Sequence, residues 1–150
     1  MAEIYLCFNA GNITSVKYAA GIIANVPSGK TSNITNCFNT GVISGTTASG
    51  LAIGTLIGTS TVSNFYDLNN PSVTSLAGAK SGTLNATNAY SYGETVSTTA
   101  NDASKVSKDT LKGLKSTLGN KWTVTNGYNY PDLVNNSIVK NKPANFNLSE

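Results

Sequence analysis

Histidine and arginine are both missing from this chain of 150 residues. Without histidine there is no side chain that ordinarily titrates near neutral pH, no imidazole metal ligand and no Ser-His-Asp triad. Without arginine there is no planar fork to grip phosphates or base edges, and the positive charge comes from ten lysines, most of them beyond Asp102. No aromatics are interleaved with those lysines, so nucleic acid is not an expected partner. Charged residues make up only 11% of the chain, about half the usual share. Asn, Ser, Thr and Gly take their place, so neutral hydrogen bonding covers the surface. No run approaches the roughly 18 to 20 apolar residues of a membrane-spanning helix. Met1-Ala2-Glu3 leads straight into a repeat with no signal-peptide pattern. The expectation is a piece of a longer secreted or cell-surface chain, with export signal and anchor elsewhere.

What the chain does have is repetition. Cys7-Phe-Asn-Ala-Gly11 returns as Cys37-Phe-Asn-Thr-Gly41, 30 positions on. The phrase around it, Ile34-Thr-Asn-Cys-Phe-Asn39, is answered by Val62-Ser-Asn-Phe-Tyr-Asp67 and more loosely by Ala86-Thr-Asn-Ala-Tyr-Ser91. A second phrase recurs between these copies, at Gly21-Ile-Ile, Gly50-Leu-Ala and Gly78-Ala. Two phrases in fixed order at a period near 30 belong to a solenoid. The apolar runs are short, β-branched or aromatic, and are cut by Gly, Asn and Ser, which makes the units strands and turns rather than helices. The fold class expected is therefore all-β: a short β-solenoid of about 30-residue coils over residues 1–104.

Strict alternation puts Thr35, Cys37 and Asn39 on one strand face and Ile34, Asn36 and Phe38 on the other. With the small cysteine turned inward, Cys7, Cys37, Phe65 and Ala89 form one ladder, and Phe8, Phe38, Tyr66 and Tyr90 form the next. Each coil repeats the phrase because it must fit on the coil before it. Both cysteines are then expected as reduced core thiols. A disulfide is the less favoured alternative, because its geometry is demanding at adjacent ladder positions. Two cysteines without His or a CxxC spacing are poor zinc ligands, and no cofactor is expected.

The CFNxG phrases paired with Gly-Ile-Ile or Gly-Leu-Ala-Ile runs resemble the GLUG-motif repeats of bacterial surface proteins, whose fuller form reads like NCYNTGNVSG followed by VGGIVG. Asn36-Cys-Phe-Asn-Thr-Gly41 carries the resemblance best. It spans roughly residues 3–95 and weakens where Phe65-Tyr-Asp-Leu68 lacks the Asn-Thr-Gly turn and Lys80 breaks the apolar run. The resemblance implies a place in large adhesins or in the repeat regions of surface-anchored peptidases, with a host or bacterial surface protein or glycan as partner.

Beyond Tyr92 the pattern changes. Ser107 is a good N-cap, Val106 and Leu111 can form a hydrophobic staple, Asp109 sits in the first turn, and Gly119 suits a left-handed C-cap. Leu111, Leu114 and Leu118 fall on one helical face, with Gly113 a weak point in the middle. Trp122 to Tyr130 reads as a hairpin about an Asn126-Gly127 type I′ turn. Residues 105–134 are expected as a C-terminal helix-plus-hairpin cap on the end of the solenoid, where strand edges need covering, and 135–150 as a tail or linker. GLUG-like regions end similarly, and Gly127-Tyr-Asn-Tyr-Pro131 resembles their Gly-Tyr-Pro phrase. The opposite end has no such element, so self-association through the N-terminal coil is expected.

The seven carboxylates, Glu3, Asp67, Glu94, Asp102, Asp109, Asp132 and Glu150, recur at no stacking period. The leading reading is a non-catalytic structural and interaction module. One alternative is a carbohydrate-binding module with Tyr66, Tyr90 and Tyr92 as a stacking platform and Asp67 beside them. Another is a polysaccharide-cleaving β-helix that uses Asp67 with Glu94. A weaker one is an ice-binding solenoid built on Thr-rich runs such as Thr59-Ser-Thr-Val-Ser63, whose spacing does not repeat as a clean ladder.

Overall fold

A computed structural model describes residues 1–124 and 128–136. The chain winds into a β-solenoid of about 3 turns with roughly 28-residue coils. The first coil contains β1 (Ala2–Tyr5), β2 (Phe8–Asn9), β3 (Ile13–Ser15), β4 (Tyr18–Ala20) and β5 (Ile23–Val26). The second contains β6 (Thr31–Asn39), β7 (Ile43–Gly45), β8 (Ala48–Gly50) and β9 (Ile53–Leu56). The third contains β10 (Thr59–Asp67) and β11 (Ala77–Lys80), and β12 (Thr83–Tyr92) opens the next. Every coil-to-coil pairing is parallel, and the largest sheet runs β1-β6-β10-β12. The steps shorten from Ala2↔Ser32 to Thr31↔Thr59, where the turn from β9 into β10 is shorter than that from β5 into β6, and again to Thr59↔Thr83, where the third coil replaces the equivalents of β7 and β8 with a turn through Pro71.

Both expected ladders form. Cys37 pairs with Phe65 and Phe65 with Ala89, while Phe8, Phe38, Tyr66 and Tyr90 pair in sequence. The strict alternation, however, does not hold. Asn36, Asn64 and Asn88 adopt φ of 54°, 53° and 51°, and Leu6 adopts 54° at the same position in the first coil. A left-handed residue advances the strand without the usual side-to-side swap, so Ile34 and Cys37 both face the interior. Asn tolerates this conformation better than other non-glycine residues. Its side chain also bonds along the stack: Asn64 Nδ2 donates to Asn36 Oδ1, and Asn88 Nδ2 to Asn64 Oδ1, each at 3.2 Å.

The interior of the coils is an apolar core in which Ile34, Cys37, Leu51, Ile53, Val62 and Phe65 are fully buried. Small residues let the walls close: a Cβ on Gly50 would overlap the carbonyl oxygen of Ile53 and lie 2.6 Å from the Gly78 nitrogen.

A second core lies on the other face of the large sheet, where the C-terminal segment packs. It holds Phe38, Tyr66, Leu111, Leu114, Leu118 and Trp122. The segment begins with β13 (Ser104–Val106), which pairs with β12 and extends the sheet. The expected single helix is instead α1 (Lys108–Lys112) and α2 (Lys115–Leu118), because the chain breaks at Gly113. Ser107 caps α1 as expected, its hydroxyl accepting the Thr110 N–H at 3.1 Å. Gly119 has the expected positive φ, 97°, but a ψ of −161° outside the helical region.

The hairpin differs too. β14 (Trp122–Thr123) pairs antiparallel with β15 (Asp132–Leu133), in the register Trp122↔Leu133. That register is not the one a tight Asn126-Gly127 turn would set. The turn, residues 125–127, lies outside the described residues, as does the tail from 137. β13 covers the end of the sheet, but the rest of the segment lies across its side rather than on its end: Trp122 rests on Phe38 and Tyr66, with ring centroids 5.8 and 5.7 Å away. Among the described residues no helix is long and apolar enough to cross a membrane.

Candidate functional site

The column of residues at the ends of β2, β6, β10 and β12 is polar and faces the interior. In register it reads Asn9, Asn39, Asp67, Ser91 and, on β13, Lys105. Asn9 Nδ2 donates to Asn39 Oδ1 at 2.7 Å, and Asn39 Nδ2 donates to Asp67 Oδ2 at 2.5 Å. Asp67 also accepts the backbone N–H of Asn70 at 3.0 Å and its side-chain amide at 2.8 Å. Lys105 Nζ donates to Ser91 Oγ at 2.9 Å, to the carbonyls of Asn70 and Tyr92 at 3.4 and 3.5 Å, and to that of Val73.

Burial pushes the Asp67 carboxyl up to about 6, although the donors on Asn39 and Asn70 and the charge of Lys105 pull the other way. Burial likewise lowers Lys105, against the attraction of Asp67 and Asp102. For both groups desolvation outweighs their mutual attraction. Each of these polar groups is engaged in tying one coil to the next.

Of the four candidate residues, the structure places two beyond the reach of any ligand. Asp67 and Tyr66 are fully buried. Tyr66 stacks on Phe38 at 5.2 Å, and its hydroxyl donates to the Pro131 carbonyl at 2.5 Å. Burial raises its phenol well above the ordinary value, helped by the nearby charges of Asp132, Tyr130 and Asp67. A stacking platform that includes Tyr66 is therefore not present. Nor do Asp67 and Glu94 share a cleft: Glu94 is exposed and lines two surface depressions, and Asp67 lines neither.

Tyr90 and Tyr92 are half-buried against the second core. Tyr92 borders an open depression of about 310 Å³ together with Glu94, Ser107, Lys108 and Asp109. The ammonium of Lys108 sits over the Tyr92 ring, 5.3 Å from its centroid.

Cys37 is buried, and burial pushes its thiol up to about 11. Cys7 is exposed, contrary to its expected place in the core, because no strand pairs with β1 or β2 on their outer side among the described residues. The same residues contain no cluster of three or more His, Cys, Asp or Glu side chains.

Sequence reading missed Lys105 and Asn70. Asn39 sits in the repeated phrase and could have been read as part of a column with Asn9. Nothing in the sequence marks Lys105, whose partners lie on two separated segments, 70–73 and 91–92. In comparisons with known proteins, no family model, no curated protein and no solved structure matches the chain.

Proposed function

We propose that this chain is a non-catalytic structural and interaction module of a bacterial surface adhesin, one that spaces or presents binding regions. The observation that carries this reading is the polar column. The residues best suited to chemistry, Asp67 and Lys105, are buried and engaged in holding coil to coil. The resemblance of Asn36-Cys-Phe-Asn-Thr-Gly41 to GLUG repeats supports the surface location, and the stacked coils supply a stiff body of fixed rise, suited to a spacer. The test is incubation with a panel of polysaccharides: no new reducing ends should appear. Turnover that is lost in Glu94→Gln would overturn the reading.

A second reading, a carbohydrate-binding module, is favoured by one observation: Tyr92 and Glu94 border the same open depression. Saturable binding on a glycan array that disappears in Tyr92→Ala would replace the first reading with this one. A partner within either reading is a second copy of the chain, meeting the outer edge of β1, which among the described residues pairs with β6 alone. Sedimentation equilibrium should show concentration-dependent association that weakens in Ala2→Lys/Tyr5→Lys. A strict monomer at high concentration would exclude it.

A further inference from the structure

The two cysteines occupy matching positions on neighbouring coils. Tyr5 pairs with Thr35 and Phe8 with Phe38, and between them the Phe38 N–H donates to the Cys7 carbonyl at 3.2 Å. Each cysteine follows a left-handed residue, Leu6 or Asn36, both at φ 54°, so the two side chains leave the backbone in the same direction. In-register neighbours on parallel strands lie about 4.8 Å apart, inside the Cα separation of roughly 4.4–6.8 Å that a disulfide spans. Cys7 is open to solvent and Cys37 is enclosed. The thiol of Cys37 donates to the Thr35 carbonyl at 3.4 Å, and Cys7 is among the groups that act on it.

We propose that Cys7 and Cys37 are a disulfide-forming site, oxidised by a small external disulfide such as glutathione disulfide, which staples the first coil of the solenoid to the second.

The order of events follows from exposure. Cys7 loses its proton to solvent, and its thiolate attacks one sulfur of the oxidant. The oxidant's S–S bond breaks, one glutathione thiolate leaves, and a mixed disulfide remains on Cys7. Cys37, buried and held as the thiol, cannot attack first. Once its proton is lost as the first coil opens, its sulfur attacks Cys7 Sγ and the second glutathione thiolate departs. The protein gives up two electrons and two protons, and the oxidant becomes two glutathione thiols.

In-register Cβ atoms begin about 4.8 Å apart, slightly wider than the roughly 3.5–4.5 Å a disulfide prefers. The first coil must therefore close by a few tenths of an ångström. That coil can shift, since β1 has a strand partner on one side only among the described residues. The staple would secure a coil whose strands, among the described residues, are each paired on one side only.

The test uses the full chain, incubated with glutathione disulfide, quenched in acid, then alkylated in denaturant and weighed. The expected product is a monomer lighter by two hydrogens with no alkylated cysteine, and non-reducing peptide mapping should recover a Cys7–Cys37 pair. Its thermal midpoint should rise by about 5 °C or more over the reduced protein and fall back on reduction. Cys7→Ser, a change at an exposed position, should show neither the mass loss nor the thermal shift. A lasting glutathione adduct or a Cys7–Cys7 dimer, with Cys37 still open to alkylation in denaturant, would overturn the site. A Cys7–Cys37 bond with an unchanged midpoint would overturn its role as a staple.

Discussion

Trp122 donates its indole N–H to the Asn36 side chain at 3.0 Å, joining residues 86 positions apart in sequence. Asn36 is held left-handed at a corner of the second coil, and its Oδ1 also accepts from Asn64. The bond therefore fastens the C-terminal segment to the same asparagine stack that shapes the coils. Trp122→Phe keeps a ring on Phe38 and Tyr66 but loses the bond and part of the buried indole volume, so it should cost about 1–2 kcal/mol. Trp122→Ala should cost about 3–5 kcal/mol through the cavity it opens. Urea unfolding followed by circular dichroism measures both. Equal costs would show that packing plays no part in the attachment.

Leu6 repeats the left-handed corner with a side chain unsuited to it, at φ 54°, and is 39% exposed. A non-glycine residue held there carries a cost on the order of 1–3 kcal/mol. Leu6→Asn should relieve part of that cost and extend the asparagine stack, raising stability by about 1 kcal/mol. Leu6→Gly relieves the backbone alone and should gain less. A fall in the melting temperature for Leu6→Asn would contradict the corner geometry of the first coil.

Asp67 gives the fold a pH dependence of unusual sign for a carboxylate. Its folded value, about 6, lies above the ordinary 3.8, so the folded protein holds the proton more tightly than the unfolded chain. Stability is then greatest, as far as this group is concerned, below about pH 4. It falls as pH rises to about 6 and is level above that, the whole loss being about 3 kcal/mol. Asp67→Asn should flatten the segment between pH 4 and 6. Denaturant midpoints across pH 3–8 for both proteins test this, and a wild-type stability that rises from pH 4 to 6 would contradict it.

Two glycines should respond oppositely to alanine. At Gly50 the added Cβ would collide with the Ile53 carbonyl, and Gly50→Ala should cost about 3 kcal/mol or more. At Gly113, with φ −85°, the nearest atom would be the Thr110 carbonyl oxygen at an ordinary 3.6 Å. Gly113→Ala should stabilise by about 0.5–1 kcal/mol through backbone entropy and helix propensity. Thermal unfolding of the pair separates tight coil packing from a tolerant helix break.

The repeat made much of this fold readable in advance. Identical phrases at Cys7 and Cys37 stack because parallel coils place like residues over like, and Ser107 with Leu111, Leu114 and Leu118 follow local helical rules. What escaped the sequence was non-local or hid in one backbone angle. The recurring Asn36, Asn64 and Asn88 were visible, but reading them as ordinary strand residues kept a strict alternation that their left-handed φ breaks. Tyr66 and Asp67 looked like surface chemistry because nothing near them in sequence announces Trp122 or Lys105. Their burial depends on segments that arrive 38 to 65 residues later, on the strand that extends the sheet and along the sheet's side.

Stacked coils, tied by the polar column and the aromatic ladder, form one stiff body, with β1 an edge paired on one side among the described residues. Amide hydrogen exchange read by mass spectrometry tests it most directly. Peptides covering Thr31–Asn39 and Thr59–Asp67 should exchange slowest and only with global unfolding, while Ala2–Tyr5 should exchange earlier through local opening of the first coil. Exchange in β6 and β10 as fast as in β1 would contradict the claim.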